Sequence, residues 1–132
     1  MKYIGGILLG VLLASVIVIG SYNKTGGSPQ KALDRYFSAD IRQDYAAVYN
    51  CYYAAYKAKI GKLEYIRHRK EDASVLKSYK ILSMRQDGGT AFAQVQLTFT
   101  PAVKAVNVKR TEINTTEALV REKGQWKIKV WG

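Results

Sequence analysis

Few side chains in this sequence are able to move a proton or hold a metal. It contains one histidine, His68, within the cationic run Arg67–Lys70, and one cysteine, Cys51. A histidine among cations on a polar helix face is normally solvated, so we do not expect His68 to act as a general acid or base. A lone cysteine cannot form an internal disulfide, and this pair has no metal-ligand spacing. The sequence therefore predicts no metal and no cofactor.

Carboxylates and tyrosine hydroxyls are the remaining candidates for acid–base chemistry. Glu112 and Glu117 lie five positions apart, and an odd separation within one strand places them on opposite faces of a sheet. One of them could enter an interior cavity beside Tyr49 or Tyr53 and supply general acid–base catalysis. Ordinary surface pairing with nearby cations is the alternative. These four residues are our pocket candidates.

No catalytic residue is assigned, because the motifs that carry known chemistries are missing from the sequence. It has no nucleophile elbow, no glycine-rich phosphate loop and no zinc-protease helix. We therefore expect ligand or protein binding rather than catalysis, with a lyase or isomerase using an interior carboxylate and tyrosine as the alternative.

Positive charge is the strongest remaining signal. Lysine and arginine number 21 against 10 aspartates and glutamates, which gives a formal net charge of +11. Six of the cations form one segment: Lys57, Lys59, Lys62, Arg67, Arg69 and Lys70. Such a segment favours anionic lipid or an anionic envelope polymer. A solvated surface that only keeps the protein soluble is the alternative.

An uncharged run of twenty residues, 3–22, comes before any of these groups. At about 1.5 Å per residue a helix of this length spans a hydrocarbon core of roughly 30 Å. We therefore predict an anchor at 1–22, a linker at 23–27 and a domain at 28–132. The expected location is the bacterial inner membrane, single-pass, with the domain periplasmic, where nucleic acid is not expected as a partner. Export after cleavage of a signal peptide is the alternative.

Small residues recur every fourth position in the predicted anchor, at Gly6, Gly10 and Ala14. This spacing lets two membrane helices approach closely and would allow a homodimer. The alternative is that glycine is simply common in membrane helices.

Helical patterns follow the linker. Ser28 and Pro29 resemble an N-cap and a first helical position, and this helix should run to about Arg42. Asp44 resembles a second N-cap, before a run from 45 to 59 without glycine or proline, in which tyrosines recur with helical spacing. Their stripe is interpreted as core packing, with ligand lining as the alternative. A third, weaker helix is predicted over 63–76.

Alternation replaces the helical period after Lys77. Strands are predicted at 78–84, 91–100, 108–121 and 126–131, with turns at 87–89 and 122–125. In the last strand, Trp126, Ile128 and Val130 should face the core. Two to three helices packed on one face of a four-stranded antiparallel meander make an α+β cone.

These patterns resemble the NTF2-like (cystatin-like, SnoaL-like) superfamily. The stretches that carry the resemblance are SPQKALDRYFSADIRQDYAAVY, SYKIL, GTAFAQVQLTFT and GQWKIKVW. The nearest type is the small exported domain of unknown function called DUF4878, together with lumazine-binding-like domains. The resemblance implies a cavity between the helices and the sheet, in a shell that serves both enzymes and binding modules.

Overall fold

Four short helices precede four strands in the computed structural model, which describes residues 27–101 and 110–130. The helices are α1 (Pro29–Ile41), α2 (Tyr45–Asn50), α3 (Ala54–Lys59) and α4 (Lys62–Lys70). The strands are β1 (Ser74–Asp87), β2 (Thr90–Pro101), β3 (Thr111–Glu122) and β4 (Gln125–Lys129).

Both predicted N-caps are confirmed. Ser28 Oγ accepts a hydrogen bond from the Lys31 backbone N–H at 3.2 Å, and Pro29 occupies the first turn of α1, where its missing N–H costs nothing. Asp44 Oδ1 accepts from the Ala47 N–H, also at 3.2 Å. Most residues that α1 buries are apolar, including Ala32, Leu33, Phe37 and Ala39, and Asp40 is buried with them.

The continuous helix predicted over 45–59 is wrong, because residues 51–53 separate α2 from α3. Tyr52 forms a parallel bridge with Ile128. The Tyr53 N–H donates to the Ile128 carbonyl at 2.9 Å, and the Ile128 N–H donates to the Cys51 carbonyl at 2.8 Å. These bonds pair one edge of β4, which would otherwise present unsatisfied backbone groups. Pairing with β4 thus overrides the local helix preference.

The third predicted helix is also too long. α4 ends at Lys70 and β1 begins at Ser74, so Leu76 lies in a strand opposite Phe99 of β2. Tyr65 is the residue that α4 buries. Because β1 pairs with β2 from Ser74 onward, the strand begins before position 78, where alternation along the chain predicted its start.

The sheet is antiparallel throughout, with the strand order β1-β2-β3-β4. Lys123 and Gly124 join β3 to β4 with φ values of 50° and 79°. Two consecutive positive φ values are what a two-residue type I′ turn requires, and glycine adopts them without steric cost. This tight turn sets the register that aligns β4 with β3.

The helices cover one face of this sheet. The side chains buried on that face include Leu76 of β1, Ala91, Ala93, Val95 and Leu97 of β2, Leu119 of β3, and Trp126 and Ile128 of β4. The predicted inward orientation of Trp126 and Ile128 is confirmed. Val130 is only half-buried, since it follows the end of β4.

The fold-class prediction requires correction in its helices and its anchor. The described residues form four short helices, not two or three. None of these helices has the length and apolar character needed to cross a membrane. The longest of them, α1, has 13 residues, and at about 1.5 Å per residue it is shorter than a hydrocarbon core of roughly 30 Å.

The predicted anchor at 3–22 and its seam of Gly6, Gly10 and Ala14 lie outside the described residues. Bilayer contact through 3–22 and dimerisation through this seam are therefore not described by the structure. Single-pass attachment to a bacterial inner membrane finds no support in the described helices, and we do not retain that localisation.

Candidate functional site

The two tyrosines predicted to line a pocket instead bond to the backbone. The Tyr49 hydroxyl donates to the Lys57 carbonyl at 3.1 Å and to the Ile60 carbonyl at 2.8 Å. It thereby satisfies carbonyls at the C-terminal end of α3, which the helix itself leaves unpaired. The Tyr53 hydroxyl donates to the Val130 carbonyl at 3.2 Å. Both side chains fasten α3 to its surroundings.

The two predicted glutamates lie on opposite faces of β3. Glu112 pairs across the sheet with Thr98 and is exposed. Glu117 pairs with Ala93, on the face that the helices cover. Burial raises the pKa of Glu117 to about 7, and its charge contributes to the raised pKa of Tyr36. Of the four pocket candidates, Glu117 alone remains as an interior proton-transfer group.

Three interior tyrosine hydroxyls bond to one another. The Tyr36 and Tyr52 hydroxyl oxygens are 3.1 Å apart, and those of Tyr52 and Tyr65 are 3.0 Å apart. Burial raises the pKa of each above its usual value, so all three stay protonated at neutral pH. The Tyr52 and Tyr65 rings meet edge to face with centroids 5.5 Å apart. Tyr52 and Tyr65 belong to the hydrophobic core, and Tyr36 packs against it.

Arg69 ends this hydrogen-bonded chain. Its Nη1 donates to the Tyr65 hydroxyl at 2.7 Å, its Nη2 to Asp40 Oδ1 at 2.7 Å, and its Nε to Asp72 Oδ2 at 2.9 Å. The guanidinium carbon also lies 4.6 Å from the Tyr45 ring centroid. Burial alone would lower the pKa of Arg69, but Asp40 and Tyr65 raise it overall. Arg69 is therefore a structural cation and not part of the predicted surface.

The other cations of that predicted surface follow α3 and α4. Lys57 is half-buried, whereas Lys59, Lys62, Arg67 and Lys70 are exposed. Glu64 lies among them, and its Oε2 is 3.9 Å from His68 Nε2. The segment keeps an exposed positive face.

A groove of about 740 Å³ lies between α1, the end of α2 and the start of β4. Four cations line it: Lys31, Arg35, Arg42 and Lys127. Its buried lining is apolar and comes from Ala32, Ala39 and Trp126. Ala47, Asn50, Cys51 and Gln125 contribute to the rim. No carboxylate of the described residues belongs to this lining.

Helix spacing and the bridge to β4 together assemble this basic groove. Lys31 and Arg35 lie on α1, and Arg42 is its C-cap with a helical backbone. Their separations of four and seven positions place them along one side of the helix. The hydrogen bonds between 51–53 and β4 bring Lys127 to the opposite wall, where its Nζ donates to the Asn50 carbonyl at 3.2 Å. The α1 spacing was visible in the sequence, but the approach of Lys127 depends on the tertiary fold.

Cys51 lines the groove and lies close enough to three cations for their charges to act on its thiol. Burial raises the pKa of the Cys51 thiol, while Arg35, Lys127 and Lys57 act in the opposite direction. Cations from three separate elements therefore exert a positive potential at one point. Among residues 27–101 and 110–130, no group of three or more histidine, cysteine, aspartate or glutamate side chains is placed to hold a metal ion.

No protein-family model and no curated protein matches the chain. The fold is similar to that of two SEC-C motif containing proteins. The solution structure of one from Rhodopseudomonas palustris has a TM-score of 0.59 and 9% sequence identity, covering 83% of this chain and 88% of that chain. The crystal structure of one from Psychrobacter arcticus has a TM-score of 0.61 and 11% identity, covering 98% of this chain and 75% of that chain.

These neighbours overturn the predicted family. They are SEC-C motif containing proteins, not NTF2-like or DUF4878 domains. The stretches that suggested the resemblance are an N-capped helix and alternating strands, which many α+β meanders share, so they do not discriminate between families. At 9% and 11% identity the likeness extends to the fold alone.

Proposed function

We propose that this domain is a non-catalytic binding module whose basic groove takes an anionic ligand. The observation that carries the proposal is the lining itself, with four cations and, among the described residues, no carboxylate. Cationic side chains around a concavity concentrate anions and bind them through charge-assisted hydrogen bonds. A volume of about 740 Å³ is within the usual range of small-molecule pockets, roughly 300–1,000 Å³.

The engagement of the interior tyrosines supports binding over catalysis. A general acid or base needs a hydroxyl or carboxyl within reach of the substrate. The hydroxyls of Tyr36, Tyr52 and Tyr65 bond to each other, and Arg69 also donates to Tyr65. These hydroxyl groups are therefore used in hydrogen bonds that hold the helices together.

A lyase or isomerase remains the second candidate because of Glu117. Burial raises its pKa to about 7, and a carboxyl that titrates near the working pH is suited to proton transfer. The groove lining does not include Glu117. The substitution Glu117→Gln should therefore leave anion binding unchanged if the groove is the functional site, and should abolish turnover if the second candidate is correct.

Calorimetric titration with inorganic pyrophosphate at low salt tests the proposal. Arg35→Gln with Arg42→Gln should weaken binding about tenfold or more, since a charge-assisted hydrogen bond contributes roughly 1.5–3 kcal/mol. The matched control, Lys77→Gln with Lys80→Gln, removes two exposed cations from β1 and should change the affinity little. Equal losses from the two pairs would show that only net charge matters and would refute the groove as a site.

A further inference from the structure

We infer that the basic groove binds a linear polyphosphate along the length of α1, and not a compact single anion. This inference rests on the proposed function and adds the class of ligand. It follows from the distance over which the four cations are spread and from the kind of hydrogen-bonding groups that line the groove.

The four cations of the groove form a row as long as α1 itself. Lys31 lies in the first turn of α1 and Arg42 is the C-cap, eleven positions further along the chain. At about 1.5 Å per residue, their backbones are about 16 Å apart along the helix axis. The Lys31 side chain passes beside Gly27, which also lines the groove. A single phosphate is too small to contact both ends of this row.

The middle of the row carries two cations on opposite walls. Arg35 lies on α1, one helical turn after Lys31, and Lys127 lies on β4. Burial raises the pKa of the Cys51 thiol, and the charges of both cations oppose this rise. The Lys127 Nζ lies 3.2 Å from the carbonyl of Asn50, at the end of α2. A phosphate between these walls would contact two cations at once, while the cations at the two ends would each meet a phosphate further along the chain.

The hydrogen-bonding groups of the groove favour a phosphate chain over an acidic peptide. Lysine and arginine side chains only donate hydrogen bonds, and no described residue of the lining has a carboxylate to accept one. Ionised phosphate oxygens only accept, and each guanidinium can bind two oxygens of one phosphate. An acidic peptide would also bring backbone N–H groups, for which the described lining offers only the side-chain oxygens of Asn50 and Gln125.

Nucleic acid also carries phosphates along a chain, but the groove does not suit its bases. Proteins that bind single strands stack the bases on aromatic side chains that the ligand can reach. Trp126 is the aromatic residue of the described lining, and it is 3% exposed. The groove therefore matches the phosphate chain and supplies no surface for bases.

Calorimetric titration of the full chain with pyrophosphate, tripolyphosphate and a linear polyphosphate longer than the row tests this inference. Concentrations are expressed as phosphate groups, so that a longer chain gains nothing from its number of groups alone. The longest chain should bind about tenfold or more tightly than pyrophosphate, because it reaches further cations. Its binding should also weaken more steeply with salt, because more counterions are released.

Variants at the two ends of the row separate a spanning ligand from a compact one. Arg42→Gln should weaken the longest chain about tenfold and lower its slope of log affinity against log salt by about one. Pyrophosphate, bound between Arg35 and Lys127, should be unaffected. Lys31→Gln should show the same selectivity for the longest chain. Lys80→Gln, which removes an exposed cation from β1, is the matched control and should change neither affinity.

Nuclear magnetic resonance and two competing polymers locate and classify the ligand. Backbone amide resonances over the whole of 31–42 should shift with the longest polyphosphate, and those around Arg35 with pyrophosphate. Oligoglutamate and oligothymidylate of matched charge should bind more weakly than polyphosphate. Tighter binding of either polymer, or shifts confined to Arg35 with every chain length, would overturn the inference.

The outcomes separate the inference from the proposed function. Equal affinities per phosphate group for the three phosphate compounds, all lowered by Arg35→Gln with Arg42→Gln, would overturn the inference while the proposed function stands. Binding of none of the three, or losses matched by Lys77→Gln with Lys80→Gln, would overturn both.

Discussion

At the scale of single residues, Glu117 is the interior carboxylate that responds to pH near neutrality. Its pKa is about 7 in the folded protein, against roughly 4.3 in an unfolded chain. The folded state therefore binds this proton more tightly than the unfolded state does. The stabilising contribution of protonated Glu117 should be fully present below the unfolded pKa of roughly 4.3 and should be lost as the pH rises through about 7, since a buried carboxyl must then ionise.

Glu117→Gln should remove this loss of stability, because the amide stays neutral at every pH. At alkaline pH we expect the free energy of unfolding to rise by on the order of 3–4 kcal/mol, because the folded and unfolded pKa values differ by between two and three units and each unit corresponds to about 1.4 kcal/mol. Urea unfolding at about pH 5 and about pH 8.5 measures the effect. Glu112→Gln, on the exposed face of the same strand, is the control. An identical pH dependence in Glu117→Gln and the native protein would contradict the assignment.

Arg69 makes a second prediction at this scale. Its side chain is 20% exposed and that of its partner Asp40 is 12% exposed. Arg69→Gln should destabilise the protein by about 3–5 kcal/mol, because it leaves Asp40 buried without a counter-charge. Chemical denaturation measures the change, and Arg67→Gln, an exposed neighbour on α4, should have little effect.

A double variant separates the buried charge from the rest of the network. Asp40→Asn combined with Arg69→Gln should recover part of the stability that Arg69→Gln loses, since no uncompensated carboxylate remains. If the double variant is less stable by the full sum of the single changes, the pair does not interact in the way its geometry indicates.

At the scale of elements, β4 joins the helices to the sheet. The hydrogen bonds from Ile128 divide the tyrosine-rich segment into α2 and α3, and Trp126 is buried on the covered face. We expect Trp126→Ala to cost about 3–5 kcal/mol, the usual range for truncating a large buried aromatic. Thermal melts compared with Gln125→Ala, an exposed neighbour, measure the loss. A melting midpoint unchanged by Trp126→Ala would show that this face is not buried.

The prediction that the cations of α3 and α4 form a surface attracted to anionic lipid remains a prediction, without Arg69. Each cation that reaches an anionic bilayer contributes about 1 kcal/mol to the binding free energy. The domain from Ser28 onward should therefore sediment with anionic vesicles at low salt. This binding should weaken as the salt concentration rises, because salt screens the charges. A variant with glutamine at Lys59, Lys62, Arg67 and Lys70 should bind less. Undiminished binding by this variant would show that the segment is only a solvated surface.

At the scale of the whole molecule, one apolar cluster connects the described elements. It contains buried residues from α1, α2, α4 and all four strands, and the Tyr52 side chain between α2 and α3 belongs to it. α3 buries no residue of its own. A single core in a chain of this size favours all-or-none unfolding. Tyrosine circular dichroism and far-ultraviolet circular dichroism should therefore change at the same urea concentration, and two separate midpoints would contradict a single core.

Local patterns predicted the elements that depend on neighbours along the chain. The caps at Ser28 and Asp44 and the alternation around Trp126 are short-range features, and the structure contains each of them. The break at residues 51–53 was not predictable, because helix propensity is continuous there and the competing partner, Ile128, is distant in sequence. The family was wrong for a related reason, since α+β patterns are common to many folds.

Among the site residues, the sequence by itself determined which chemistries were available: an excess of cations, a single cysteine and histidine, and many tyrosines. It also determined that Lys31, Arg35 and Arg42 share one side of a helix, because that follows from helical spacing. Only the tertiary structure decided that Lys127 faces them, that a partly buried Arg69 pairs with Asp40, and that Glu117 lies half-buried on the face that the helices cover. Those outcomes depend on desolvation and on contacts between segments far apart in the chain, which no local pattern encodes.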